Sequence, residues 1–135
     1  MDTSDETTSS ETTEGVLVHV QSEYIEDQSA PSMNRYVFAY RVTIANIGHE
    51  EPVTLRSRHW IITDQLGRRE DVKGPGVVGE EPTLNQGEGF EYTSGAVLNT
   101  PRGAMEGFYF FERQDGSTLS VRIGRFVLAT PFSLN

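Results

Sequence analysis

From Gly15 onward, apolar and polar residues alternate with a period of two, again and again. In VLVHVQSEYIE, Val16, Val18 and Val20 fall on one phase and Leu17 and His19 on the other. In RYVFAYRVTIAN, Tyr36, Phe38, Tyr40, Val42 and Ile44 share a phase, against Val37, Ala39, Arg41 and Thr43. Successive side chains of an extended chain point to opposite faces, so this pattern predicts half-buried strands. The β-branched and aromatic residues that dominate it suit a pleated surface. VTLRSRHWIITD predicts a third strand ending at the turn QLG, and RREDV a short return strand. GEGFEYTSGAVL predicts a further strand, interrupted at Gly95, and GAMEGFYFFER another. The turn QDGS, with its favoured Asp-Gly pair, then leads into TLSVRIGRFVLA. There Leu119, Val121 and Ile123 share one phase and Phe126 and Leu128 the other. A β-bulge near Gly124 would keep both sets inward.

No window sustains a helical period of 3.6 residues. About seven short strands separated by Gly/Pro turns predict an all-β antiparallel sandwich of the immunoglobulin or fibronectin type III kind. Trp60, the single tryptophan, lies in the third strand, where such sandwiches bury one, so core packing is its first reading.

Composition changes this picture at one end only. The chain has 135 residues, enough for one domain with one core, and no cysteine, so disulfides and thiolate metal sites are excluded. The stretch MDTSDETTSSETTE holds Asp2, Asp5, Glu6, Glu11 and Glu14 without a Lys or Arg. Those five acids leave a net charge of −4 for the rest, out of −9 in total. With no apolar residue after Met1 it offers little to bury, so residues 1–14 are expected to be a disordered acidic leader and 15–135 the folded domain. A net-negative surface argues against nucleic acid as a partner. No apolar run reaches the ~20 residues of a membrane helix, and the N-terminus is unlike a secretory signal, so no membrane insertion and a cytoplasmic location are expected.

The motif that invites chemistry is KGPGVVGEEP, residues 73–82, where Gly74, Gly76 and Gly79 spell G-x-G-x-x-G. In a dinucleotide fold this pattern opens a helix, whose free N–H groups bind the pyrophosphate. Here Pro82 follows and no helical pattern does. Pro75 removes one N–H from the motif, and Glu80 and Glu81 add negative charge. A helix-free anion nest, assisted by Arg68, Arg69 and Lys73, is the phosphate reading that survives. The competing reading is a Gly/Pro-shaped contact loop comprising Lys73, Gly74, Pro75, Gly76, Val77, Val78, Gly79 and Glu80, with Tyr92–Gly95 as its neighbour.

Other constellations are sparser. His19, His49 and His59 show no compact ligand spacing, so the metal ligands are unknown. Ser57 and His59 share a strand face, but Asp64 is on the opposite phase and cannot complete a triad with them; no catalytic residues are assigned. Arg56, Arg58 and Trp60 alternate onto one expected face, a candidate surface for an anion or a partner peptide.

Taken together, YVFAYRVTIANIG, SRHWIITD, VKGPGVVGEEPTLNQGEGFEYTSGAVLNTPRGAMEGFYFF and FVLATP resemble the ApaG family, also called CorD, over about residues 16–134. The resemblance implies a fibronectin type III-like sandwich carrying the glycine loop. It also implies an association with cobalt resistance and magnesium efflux in bacteria, and a protein-interaction role in related eukaryotic domains. It carries over no catalytic residue. The expectation is a non-enzymatic interaction or regulatory module without a cofactor and with an unidentified protein partner, homodimerisation through an edge strand being open. The alternative is direct binding of a divalent cation, Co2+ or Mg2+, or of phosphate or a nucleotide at the glycine loop.

Overall fold

The computed structural model describes residues 6–131. Within them nine strands run in order: β1 (Thr8–Thr13), β2 (Val16–Tyr24), β3 (Tyr36–Asn46), β4 (Val53–Asp64), β5 (Arg69–Pro75), β6 (Thr83–Leu84), β7 (Gly89–Leu98), β8 (Arg102–Arg113) and β9 (Thr118–Ala129). One sheet has the order β1-β2-β3-β7, the other β5-β4-β8-β9, with β6 pairing the start of β4. All pairings are antiparallel. This is the expected all-β sandwich, with two strands, β1 and β6, beyond those read from the sequence. Among the described residues no helix is long and apolar enough to cross a membrane.

The inward phases of the strands form the core. Val16, Val18 and Val20 of β2 are fully buried, as are Phe38, Val42 and Ile44 of β3. Across the interface stand Leu55 and Trp60 of β4, Tyr109 and Phe111 of β8, and both apolar sets of β9. Trp60 is 2% exposed and meets Tyr40, Tyr109 and Phe126 edge-on, with ring centroids 5.2, 6.1 and 5.9 Å away. Such edge-to-face contacts set the partial positive rim of one ring against the negative face of another.

Two bulges set the phases. Between β8 and β9 the register passes from Gly107↔Ile123 to Met105↔Phe126, so Gly124 and Arg125 together oppose Glu106. That extra residue keeps Phe126 and Leu128 in the core, as the switch of phase predicted. The second bulge was not foreseen. Between β4 and β8 the register moves from Leu55↔Phe111 to Ser57↔Phe110, which leaves Arg56 as the unpaired extra residue. At Gly95, by contrast, the expected interruption is absent. β7 runs unbroken and Gly95 pairs with Ala39.

The disordered-leader expectation is corrected over Thr8–Thr13. That segment is strand β1, paired with β2 from Thr8↔Gln21 to Thr13↔Val16. A two-residue turn joins the two strands, with Glu14 at φ 44° and Gly15 at φ 85°, the geometry of a type I′ hairpin. What holds β1 is polar. Glu6 pairs with Arg102, Glu11 with Arg122 and Glu14 with Arg113, each at 3.3 Å. Thr13 Oγ1 accepts the Arg122 N–H at 3.1 Å. The acids that looked like a solvated tail are thus partners for arginines of the opposite sheet. Residues 1–5 of the expected leader lie outside the described residues.

Candidate interaction site

The glycine motif begins inside a strand. Lys73, Gly74 and Pro75 belong to β5 and pair with His59, Arg58 and Ser57, so the loop proper starts at Gly76, three residues later than expected. The Gly76 N–H donates to Arg56 O at 2.8 Å. Val77 N–H donates to Glu80 O, and Glu80 N–H to Val77 O, at 2.8 and 2.9 Å. These bonds close a two-residue turn with Val78 at φ 45° and Gly79 at φ 81°. Gly76 has φ 55°, and a Cβ there would lie 2.3 Å from Glu80 O, so both its conformation and its surroundings require glycine. At Gly74 the reason is space: a Cβ would lie 3.1 Å from Arg58 Nη2.

Three loop N–H groups that an anion nest would need are therefore already engaged, and no helix follows. Loop carbonyls turn instead to a cation: Arg58 Nη1 donates to Pro75 O and Gly76 O, both at 2.8 Å. Val77 is 1% exposed and plugs into the core, whereas Val78 is 56% exposed at the tip. A β-branched residue with positive φ is an outlier whose strain is on the order of 1–3 kcal/mol.

The bulge at Arg56 corrects the expected arginine face. Arg58 and Trp60 do share the inner phase, the one that includes Tyr109, but Arg56 is thrown outward. Its guanidinium bridges Glu112 at 2.9 Å and Glu81 at 3.3 Å. The two arginines thus clasp the loop from opposite sides, one through carbonyls and one through Glu81. The alternation within RSRHW hides this; the mark lies in its flanks, where the inward residues Leu55 and Trp60 fall on opposite phases.

Behind Arg58 lies a cluster of tyrosines. The Tyr92 and Tyr109 hydroxyls hydrogen-bond to each other, and Tyr40 lies beside Ser94. Burial pushes all three phenols above their ordinary pKa, with Arg58 acting weakly in the opposite direction. The buried Trp60 Nε1 lies near the Tyr92 hydroxyl but outside hydrogen-bond geometry.

The cluster opens into a groove between the edges of the two sheets. A hollow of about 420 Å³ is lined by Tyr40, Arg58, Trp60, Ile62 and Met105 from below, Glu70 and Val72 of β5 on one side, and Ser94–Val97 of β7 on the other. A second hollow of about 260 Å³ shares Ile62, Glu70 and Val97 with it and runs on to Asp64, Arg68 and Asn99. Of the expected neighbour segment Tyr92–Gly95, Ser94 and Gly95 line this groove, while Tyr92 is buried beneath it.

The histidines are scattered. His19 Nδ1 lies 3.3 Å from Ser10 Oγ, and His49 Nδ1 lies 3.0 Å from Glu51 O. His59 Nε2 lies 2.7 Å from Asp71 Oδ2, on the outer face that also carries Ser57. The sequence reading missed Asp71 as the partner of His59. Registering the β4–β5 hairpin about its QLG turn would have found it, since Lys73 then faces His59 and Asp71 sits one diagonal step away. Arg69 first, then His59, hold the Asp71 carboxyl well below the usual carboxylate range. Among the described residues no three His, Asp or Glu side chains converge as a metal site.

The sequence profile of the ApaG domain matches residues 26–113. Protein ApaG of Paramagnetospirillum magneticum is 50% identical over 122 residues, covering 90% of this chain and 93% of the relative. Protein ApaG of an Enterobacter species is 52% identical over 116 residues, covering 86% and 92%. A crystal structure of the ApaA protein of Bordetella pertussis superposes with a TM-score of 0.83 at 48% identity, covering 86% of this chain and 94% of that one. Fold and sequence agree along most of the molecule: the chain belongs to the ApaG family.

Proposed function

We propose that this protein is a non-enzymatic interaction module whose partner contacts the loop Gly76–Pro82 and the adjoining groove. The observation that carries this reading is Val78. A strained, exposed aliphatic side chain sits at the tip of a turn that two arginines and a buried neighbour hold rigid. Stored strain of this kind clusters at contact sites, and a rigid loop loses little freedom on binding. The link to cobalt and magnesium homeostasis implied by the family fits this reading as an effect transmitted through a partner in the cytoplasm.

The test is affinity capture from native cytoplasm with the intact chain and with Gly76→Glu, Gly79→Glu and Val78→Asp. The expected result is loss of the same partner from all three variants while Val78→Asp retains its melting temperature. A partner list unchanged by all three substitutions rejects the loop. Direct ligands are tested separately by following backbone NMR shifts on titration with Mg2+, Co2+ and ATP. Localised shifts at the loop would favour direct binding over the partner reading.

A further inference from the structure

We propose that the groove beside the loop is a binding site for a small organic monocarboxylate, whose carboxylate sits on the free edge of the Arg58 guanidinium. This goes beyond the interaction reading above and does not depend on it.

Arg58 differs from the other arginines of the strands, each of which pairs with a carboxylate. Arg58 is partly buried and has no carboxylate partner among the described residues. Only its Nη1 is engaged, donating to Pro75 O and Gly76 O. Gly74 lets the guanidinium lie flat, since a Cβ there would stand 3.1 Å from Nη2 and 3.3 Å from both Cζ and Nη1. The group is thus fixed with one edge against the loop. Its other edge, Nε and Nη2, carries two parallel N–H groups, and no described residue accepts from them.

Nothing nearby neutralises that charge. Tyr40, Tyr92 and Tyr109 lie close enough to feel it, but burial raises all three phenols, so at neutral pH they remain hydroxyls. A charge left uncompensated in a partly buried position is costly until something pairs with it. The hollow of about 420 Å³ beside Arg58 is suited to supply the partner. Its open surface is mostly polar, and Tyr40 and Ser94 bring hydroxyls to it. A guanidinium edge matches the two oxygens of a carboxylate, and hydroxyls can donate to the lone pairs left over. Among the residues lining this hollow, Arg58 is the one cation and Glu70 the one anion. A ligand's first negative charge is therefore compensated, whereas a second would find only Glu70. That selects a single carboxylate on a neutral or cationic body. The volume exceeds what a carboxylate alone fills and lies in the range of small-molecule sites.

The test follows the NMR resonance of the Arg58 Nε–H group in the full chain. The probes are acetate, benzoate and N-acetylalanine, each beside its own amide, with succinate and inorganic phosphate as dianions. The expected result is a saturable shift with a monocarboxylate below about 10 mM, roughly tenfold tighter than with either dianion, and none with the amides. Arg58→Lys keeps the charge but loses the fork, and should weaken binding by about tenfold. Because Arg58 also clasps the loop, a second variant leaves it in place. Ser94→Glu puts a carboxylate into the hollow from the protein itself, and should abolish probe binding while the melting temperature holds or rises. No saturable shift with any probe, equal shifts from acids and amides, no preference over the dianions, or full binding by both variants overturns the proposal.

Discussion

The sandwich has two open sides, and the chain treats them differently. On one, β1 lies alongside β9 and polar contacts seal the gap: three Arg–Glu pairs from β1 and its flanks, and Ser22 Oγ of β2 donating to Val127 O at 2.7 Å. Gly124 lies against β1, where a Cβ would stand 3.4 Å from Ser9 Cβ and 2.9 Å from the movable Glu11 Oε2. On the other side, β7 and β5 stand apart over a groove floored by Trp60. The comparison teaches that this fold accepts an extended polar segment along a sheet edge, because its own N-terminal strand is one. Each side has a tight turn with a non-glycine residue at positive φ, Glu14 on the filled side and Val78 on the unfilled one, but only the unfilled side leaves a groove.

Removing β1 should have the largest effect. A chain beginning at Glu14 exposes the edge of β2 and the flank of β9 and leaves Arg102 and Arg122 without Glu6 and Glu11. The melting temperature should fall on the order of 10 °C, equivalent to roughly 3 kcal/mol. An unchanged melting curve would mean that the seam is ornamental and the two sides equivalent. Next comes Gly76→Ala, expected to cost about 2–3 kcal/mol in denaturant titration because both φ and the Glu80 carbonyl oppose it. Gly79→Ala, where the φ is equally positive but the space is open, should cost about 1 kcal/mol. If the two alanines prove equal, crowding at Gly76 does not matter.

Alkaline pH addresses the groove side alone. Folding raises the pKa of Tyr40, Tyr92 and Tyr109 by burial, so their contribution is complete below the unfolded value of about 10 and lost as pH rises through the folded values. Tyrosinate absorbance from these three should therefore appear together with unfolding above about pH 10, and Tyr92→Phe should blunt that alkaline loss. Val78→Asn should act in two directions at once: about 0.5–1 kcal/mol more stable, because asparagine tolerates positive φ, yet weaker in partner capture. A variant gaining neither stability nor losing capture would divorce strain from function. The smallest effect belongs to the seam's individual ion pairs. Arg122→Gln should cost below about 1 kcal/mol and become silent in high salt, since both partners are well exposed.

Most of the fold was legible because burial imposes the alternation that defines it. β2, β3, β4, β8 and β9 each carry a clear apolar phase, and a phase switch such as Ile123 to Phe126 announces its own bulge. β1 was illegible for the converse reason. It is held by charge and hydroxyls, so its burial leaves no apolar trace, and its Glu-Gly turn lacks the Asn or Asp that usually marks a type I′ hairpin. The bulge at Arg56 did leave a trace that the sequence reading passed over: Val53 and Leu55 fall on one phase and Trp60 and Ile62 on the other. For the site, the three glycines were identified as shapers of a turn, but the clasp depended on a register that only pairing reveals.

The seam also has a consequence for how the chain is made. Glu6 meets Arg102 and Glu14 meets Arg113, partners 96 and 99 positions apart. β1 is made before its partners and can pair early with its neighbour β2, but the acids in and beside it wait until β8 and β9 have been synthesised. Closure of that side therefore waits on β8 and β9: a nascent chain that stops short of them has β1 loose, and one that contains them has it fastened.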